Sequence, residues 1–174
     1  MKKIIILAMH GAPPNDFPSE EKNEFFRLHS KIEASSLSLS KESLNRYDYL
    51  EEKMRTWPRN EKNDPYFYGS LDIAEQLGIV TEKPVIVGFN EFCAPTILEA
   101  ITQAVHEGAT KIFVLTTMLT RGGDHSEKDI PEEVSKARMK FSAVSIRFLW
   151  PYNPLSIAHF LSQQIEEISS IEEI

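Results

Sequence analysis

Two histidines and a glutamate lie directly after apolar runs that are typical of buried strands. His10 ends the first run, Glu91 follows the second, and His125 lies on a glycine-rich loop after the third. In an open parallel sheet, ligands bind outside the carboxyl ends of the strands. Two imidazoles and a carboxylate suit a borderline divalent metal such as iron, cobalt, nickel or zinc. We therefore predict that these three side chains converge on one rim of a sheet.

Each residue also has a structural interpretation. His10 can hydrogen-bond the backbone of a turn, and Glu91 can interact with the dipole of the following helix. Asp129 is predicted to cap a helix or to face solvent. Cys93 is either a packing residue or, before a helix N-terminus, a thiol of lowered pKa. The remaining histidines lie in helical patterns and are interpreted as structural, and two acids beside His125 as solvent-facing: His29, His106, His159, Asp124 and Glu127.

Four short apolar runs alternate with helical patterns along the chain. A continuous apolar run is typical of a strand that is covered on both faces. We therefore predict an α/β fold, a four-stranded parallel sheet with helices on both faces and right-handed crossovers. The predicted strands are Ile4–Met9, Pro84–Phe89, Lys111–Thr117 and Ala143–Trp150.

Two of the predicted helices carry clear start signals. Asp129 and Glu132 have the spacing of a capping box before the third predicted crossover helix. Asn153 is predicted to be the N-cap of the last helix, with Pro154 at its first position.

The connection between the first two strands is too long for one helix. It contains two amphipathic stretches, Ser19–Ala34 and Lys41–Trp57, which are separated by the serine-rich break SSLSLS at 35–40. Structureless loops of this length are rare in compact domains. We therefore predict a helical insertion at 17–68 within a single domain that spans 1–174.

Composition limits the class of protein. With 174 residues, of which 41% are hydrophobic, the chain is long enough for one well-packed core. A net charge of −7 without runs of like charge argues against nucleic-acid binding. A P-loop motif is missing from the sequence, so no nucleotide is expected. One cysteine, a short N-terminal apolar run and no membrane-length segment predict a cytoplasmic protein without a membrane partner.

Three motifs at the strand ends resemble those of a known family. They are His10-Gly11 after the first strand, GFNEF-x-x-P at Gly88–Pro95 after the second, and G-x-H-x-x-x-D-I-P at Gly123–Pro131 after the third. In these motifs the chain resembles the class II, ATP-independent metal chelatases of the sirohydrochlorin cobaltochelatase and ferrochelatase type. The resemblance covers the first eighteen residues and the stretch from Pro84 to the end.

The resemblance implies an enzyme of the lyase class that inserts Co²⁺ or Fe²⁺ into sirohydrochlorin or a related polycarboxylated tetrapyrrole, in cobalamin or siroheme biosynthesis. Ni²⁺ and Zn²⁺ are further candidates. It implies that His10 and His125 bind the metal and accept protons, and that Glu91 is the carboxylate of the cleft. Imidazole suits both roles. Because short relatives carry one α/β unit and pair, the resemblance also implies a homodimer. The alternative is a non-catalytic metal or tetrapyrrole carrier on the same scaffold.

The predicted insertion contains a candidate contact for the tetrapyrrole. In MRTWPRNEK, Arg55 and Arg59 flank Trp57, and an aromatic ring among cations suits a flat polyanion. The alternative is an ordinary solvated loop, since acidic residues lie nearby. Arg121, on the loop after the third strand, is a fourth candidate for binding the ring carboxylates.

Overall fold

A computed structural model of the protein describes residues 1–34 and 39–172. Four strands form one parallel sheet, in the order β2-β1-β3-β4. Each strand end lies within two residues of the predicted bound, and the predicted parallel α/β sheet is confirmed. The strands are β1 (Lys3–Met9), β2 (Val85–Phe89), β3 (Lys111–Thr116) and β4 (Ser145–Phe148).

Helices cover both faces of the sheet, as predicted. The helices are α1 (Ser19–Glu33), α2 (Lys41–Arg55), α3 (Pro65–Thr81), α4 (Ile97–His106), α5 (Ile130–Lys140) and α6 (Pro154–Glu172). Helices α4 and α5 pack on the face of β1 that carries Ile4 and Ile6. Helices α1, α2 and α3 pack on the opposite face, against Leu7 and Met9. Most of the predicted serine-rich break, residues 35–38, lies outside the described residues.

The two predicted helix starts have different outcomes. Asn153 Oδ1 accepts a hydrogen bond from the N–H of Leu155 at 2.9 Å, and α6 begins at Pro154, which confirms the predicted cap. The predicted capping by Asp129 is wrong. Its backbone is already helical and its side chain caps nothing, because a π-helix at His125–Asp129 runs directly into α5.

No helix in the described parts of the chain has the length and apolar character to cross a membrane.

The strand order determines where a ligand can bind. Strand β1 lies between β2 and β3, with Met9 beside Phe89 and Ala8 beside Thr116. The chain moves from β1 to β2 and then returns across β1 to β3. The sheet therefore has a topological switch point next to β1, and ligands of open α/β sheets bind at the carboxyl ends of strands at such a point.

One buried guanidinium holds the loops at this edge together. The side chain of Arg59 is 6% exposed and forms an ion pair with Asp64, which is 1% exposed. Its two terminal nitrogens also donate to three backbone carbonyls, those of Ala12 and Met54 at 3.0 Å and that of Phe92. Burial lowers the pKa of this guanidinium. The Asp64 carboxylate is its neighbouring counter-charge. The predicted contact between Arg59 and ring carboxylates is therefore wrong, because the side chain is buried and both terminal nitrogens of its guanidinium bind acceptors inside the protein.

We expect Arg59→Met to lower the free energy of unfolding by about 3–5 kcal/mol, because it leaves the Asp64 carboxylate buried without its counter-charge. Urea unfolding followed by circular dichroism measures the loss. Arg46→Met is the matched control, since Arg46 pairs with Glu24 at 2.7 Å in a more exposed position. The Arg46→Met variant should lose much less free energy of unfolding, because exposed ion pairs contribute little to stability. Equal losses in the two variants would contradict the central role of the buried pair.

Candidate functional site

The candidate site begins where β1 and β2 leave the sheet. The ladder of hydrogen bonds continues past both strands, and the N–H of Glu91 donates to the carbonyl of His10 at 2.8 Å. Gly11 has a φ of +97°, and a Cβ atom there would lie 1.9 Å from the carbonyl oxygen of Glu91. Position 11 therefore requires glycine. This close crossing places the side chains of His10 and Glu91 on neighbouring loops.

His125 reaches the site from the π-helix. The preceding turn contains Gly122 with a φ of +90°, and its N–H donates to the carboxylate of Glu127 at 2.9 Å. The N–H of Ile130 donates to the carbonyl of His125, which closes the wide turn. Single π-helical turns occur frequently at functional sites. The glycine-rich segment is therefore helical from His125 onward, and this helix orients the imidazole.

The structure brings the predicted metal ligands His10 and His125 together with the predicted cleft carboxylate of Glu91. One ligand atom from each of His10, Glu91 and His125 lies within 4.8 Å of the other two. The two imidazole rings meet edge to face with their centroids 4.4 Å apart, and His10 Nε2 is 3.8 Å from Glu91 Oε2. The three side chains are 37%, 22% and 30% exposed, so a ligand can approach from solvent. Because a metal–nitrogen bond is about 2.1 Å long, a shared ion requires a small inward rotation of these side chains.

Both imidazoles have one ring nitrogen occupied by an acceptor. The Nδ1 atom of His10 donates to the carbonyl oxygen of Gly11 at 2.8 Å. The Nδ1 atom of His125 lies 2.6 Å from the Oδ2 atom of Asp129. An acceptor at Nδ1 holds the proton there, so the lone pair of each neutral imidazole is on Nε2. Each histidine therefore offers Nε2 as its metal ligand or proton acceptor.

The contact with Asp129 is the feature of the site that the sequence did not reveal. Asn90 Nδ2 also donates to Asp129 Oδ2 at 3.2 Å and lies 2.8 Å from His125 Nδ1. Asp129 and Asn90 thus surround the back of the imidazole, on the side away from Nε2. The signal for this contact was the spacing His-x-x-x-Asp, which places both side chains on one helical face. It was missed because the segment was predicted to be a loop up to Asp129.

The other predicted ring contacts have protein partners. Arg55 donates to Glu51 and to the carbonyls of Asn90 and Cys93 at 3.0–3.2 Å, and its side chain is 15% exposed. The indole N–H of Trp57 donates to an Asp16 carboxylate oxygen at 2.9 Å. Both side chains are thus engaged within the protein, and their predicted contact with the ring stays a prediction. Arg121 is different, because its side chain is 77% exposed and lies 3.9 Å from Glu127. Its contact with the ring remains a prediction.

Cys93 is a packing residue. The side chain is fully buried, and burial raises the pKa of its thiol. The alternative of a thiol activated by the following helix is therefore wrong, since the thiolate is the reactive form.

A cavity of about 420 Å³ adjoins Glu91. One wall is aromatic and includes Phe25, Tyr47 and Phe92. Burial raises the pKa of Tyr47 to about 12, so its hydroxyl stays protonated. The lining also includes the guanidinium of Arg55 and, besides Glu91, four carboxylates, which belong to Glu51, Asp129, Glu132 and Glu133. The cavity therefore disfavours the carboxylate groups of a ligand.

An open parallel sheet with two imidazoles and a carboxylate at its switch point defines an α/β protein with a candidate metal site. A sequence model of the CbiX family matches residues 69–168, which is more than half of the chain. The chain belongs to the CbiX family. The matched segment includes Glu91 and His125 and begins directly after the predicted insertion.

A curated relative and two solved structures are similar to the chain. A sirohydrochlorin cobaltochelatase of Methanopyrus kandleri is 44% identical over 50 residues, which cover 29% of this chain and 34% of that protein. The chain therefore matches about a third of the length of this relative. The cobalt complex of the sirohydrochlorin chelatase SirB from Bacillus subtilis subspecies spizizenii is 20% identical over 87% of this chain and 44% of that chain, with a TM-score of 0.44. A cobalamin biosynthesis CbiX protein from Marinobacter aquaeolei VT8 is 17% identical over 95% and 98% of the two chains, with a TM-score of 0.42.

We expect Asp129→Ala to weaken the binding of Co²⁺ by about 10- to 100-fold, because the imidazole of His125 loses the acceptor that orients it. Isothermal titration with Co²⁺ in the absence of tetrapyrrole measures the affinity. Asp124→Ala is the matched control, since Asp124 precedes the same imidazole but pairs with Lys128 at 2.8 Å. Unchanged Co²⁺ affinity in Asp129→Ala, or an equal loss in Asp124→Ala, would contradict this role.

Proposed function

We propose that the protein inserts a divalent metal into sirohydrochlorin or a related polycarboxylated tetrapyrrole without ATP. The observation that carries the proposal is the convergence of His10, Glu91 and His125 at the switch point of the sheet, with ligand atoms within 4.8 Å of one another. Membership in the CbiX family and the matched sirohydrochlorin cobaltochelatase support the choice of tetrapyrrole. The name of that relative favours cobalt, in cobalamin biosynthesis. Iron, in siroheme biosynthesis, is the second choice, and nickel and zinc remain compatible with the ligands.

The chemistry of the proposed reaction matches the residues of the site. Insertion of M²⁺ forms bonds to four ring nitrogens and releases two N–H protons from the pyrroles. In our proposal the Nε2 atoms of His10 and His125 bind the incoming ion, and Glu91 accepts or relays the first proton. When the ion has moved into the ring, the lone pairs of the imidazoles are available for protons. The reaction needs no nucleotide, because metal coordination by the ring supplies the driving force.

We also propose that residues 17–68 form a helical insertion in a single domain. The CbiX match begins at residue 69, directly after this segment, which supports the proposal.

Arg121 is the proposed contact for carboxylates at the ring edge, because its guanidinium is exposed on the loop before His125. A single cysteine suits a reducing compartment, and we place the reaction in the cytoplasm.

The experiment that tests the function is a turnover assay. Catalytic amounts of protein are mixed with excess Co²⁺ and sirohydrochlorin, and the absorption spectrum is followed against a reaction without protein. We expect many turnovers per protein molecule and a rate proportional to protein concentration. A spectral change that stops after one tetrapyrrole per protein molecule, with no further insertion above that in the reaction without protein, would identify a carrier and overturn the proposal.

In the same assay, we expect His10→Ala and His125→Ala each to reduce kcat by at least about 100-fold, because the site loses a ligand and a base. Glu91→Gln should slow turnover while Co²⁺ affinity stays close to that of the wild type. His106→Ala is the control, since His106 is an exposed histidine at the end of α4. Near wild-type turnover in either of the two alanine variants of the site would disprove the assignment at that position.

A second copy of the chain is the proposed partner. Helix α6 carries exposed apolar side chains, among them Phe160, Leu161 and Ile168, which are 51–58% exposed. Beside its first turns lies an apolar groove of about 670 Å³ that includes Leu7 and Leu115 of the sheet. An apolar helical face next to an apolar groove permits reciprocal packing about a two-fold axis. A homodimer formed in this way buries both surfaces.

We expect light scattering to give the mass of a dimer for the wild type and of a monomer for the double variant Phe160→Glu/Leu161→Glu, because charges disfavour apolar burial. Met139→Glu is the control, since Met139 is 76% exposed on α5. A wild-type monomer whose activity is proportional to concentration down to nanomolar levels would exclude the dimer. A dimer that persists in the double variant would exclude this surface.

A further inference from the structure

A row of aromatic rings runs from helix α1 to the candidate metal site. Phe26 of α1 is 39% exposed, whereas the neighbouring Phe25 is 2% exposed. The ring centroids of Phe26 and Phe92 are 5.8 Å apart, and those of Phe92 and His10 are 5.9 Å apart. The row therefore connects a partly exposed apolar surface of the insertion with a predicted metal ligand.

The backbone at the middle of this row is in an unusual conformation. Phe92 has a φ of +58°, in the left-handed region that favours glycine and is an outlier for a bulky residue. Its ring is 8% exposed and also packs against Phe25 at 6.1 Å. A glycine would adopt this backbone without strain. A phenylalanine at such a position indicates that its ring has a role, namely to fill the space between α1 and His10.

Electrostatics determine which part of a tetrapyrrole fits near this row. The macrocycle has two apolar faces and an edge that carries carboxylates. Carboxylates outnumber the single guanidinium of Arg55 in the lining of the cavity next to Phe92, so this cavity repels the carboxylate edge. The exposed ring of Phe26 offers an apolar surface instead. Aromatic side chains pack against flat apolar ligands in offset or edge-to-face arrangements.

We propose that Phe26, supported from below by Phe92, packs against a face of the tetrapyrrole and contributes to its recognition. This inference rests on the proposed function for the identity of the ligand. It assigns to the insertion a contact with the ring through α1, separate from the predicted contact of Trp57. Phe26 binds and positions the ring, and it takes no part in proton transfer.

The test is an equilibrium titration with metal-free sirohydrochlorin, followed by quenching of its fluorescence. We expect Phe26→Ala to weaken binding by about ten-fold, the effect of losing part of the buried area of an aromatic ring. Phe26→Tyr should bind within about two-fold of the wild type, because it keeps the ring. Binding of Co²⁺ alone should be the same in all three proteins, since Phe26 does not contact the ligand atoms.

Tyr49→Ala is the matched control. Tyr49 is an aromatic residue of the same insertion that is 54% exposed and packs beneath Arg46 at 5.3 Å. Its removal should leave the affinity for sirohydrochlorin unchanged. Wild-type affinity in Phe26→Ala, or an equal loss in Tyr49→Ala, would overturn the inference, as would a wild-type protein that does not bind sirohydrochlorin.

The outcomes for this inference and for the proposed function are separate. If the wild type binds sirohydrochlorin without multiple turnovers, and Phe26→Ala weakens that binding, the inference stands and the chelatase function fails. If the wild type turns over and Phe26→Ala binds the ring normally, the function stands and the inference fails.

Discussion

The ion pair between Arg59 and Asp64 is the constraint on which the candidate site depends. A buried guanidinium needs a counter-charge and hydrogen-bond acceptors, so the segments that supply them must come together. Those acceptors are carbonyls on the loop after β1, at the end of α2 and on the loop after β2. The same two loops carry His10 and Glu91. The insertion is therefore part of the framework of the site, because its ionic centre anchors the loops that present two of the three candidate ligands.

The site is rigid on its inner side and open on its outer side. Inside, the close crossing at Gly11 and the left-handed backbone of Phe92 leave the two loops little freedom to move relative to one another. The carbonyl behind His10 and the carboxylate behind His125 orient the two imidazoles before any ligand arrives. Preorganisation of this kind lowers the cost of ordering the site when a ligand binds. The exposed fractions of the three side chains leave the outer side free for a metal ion and a large ring.

Local sequence patterns predict which residues lie at the candidate site. They do not predict the side-chain contacts that surround these residues, because those contacts join segments that are distant in the sequence or depend on where a helix begins. Apolar runs identified the strands, and polar residues after them identified His10, Glu91 and His125, because all strands of a parallel sheet end at the same edge. The cations around Trp57 predict a ring contact for Arg59, and only the three-dimensional path of the chain shows that Arg59 is buried beside Asp64. The contact of Asp129 with His125 was missed because it depends on the residue at which the helix begins.

The occupied Nδ1 atoms have a consequence for the charge of the site during a reaction cycle. Each imidazole has one lone pair left, and this lone pair can hold either a metal ion or a proton at any one time. Under the proposed function, departure of one divalent ion removes two positive charges and frees the lone pairs of His10 and His125. Two protons from the ring then restore the same charge. The exchange is electroneutral for the protein, so the half-buried site passes from the metal-bound to the protonated state without accumulating charge. The protons must leave the two imidazoles before the next ion can bind.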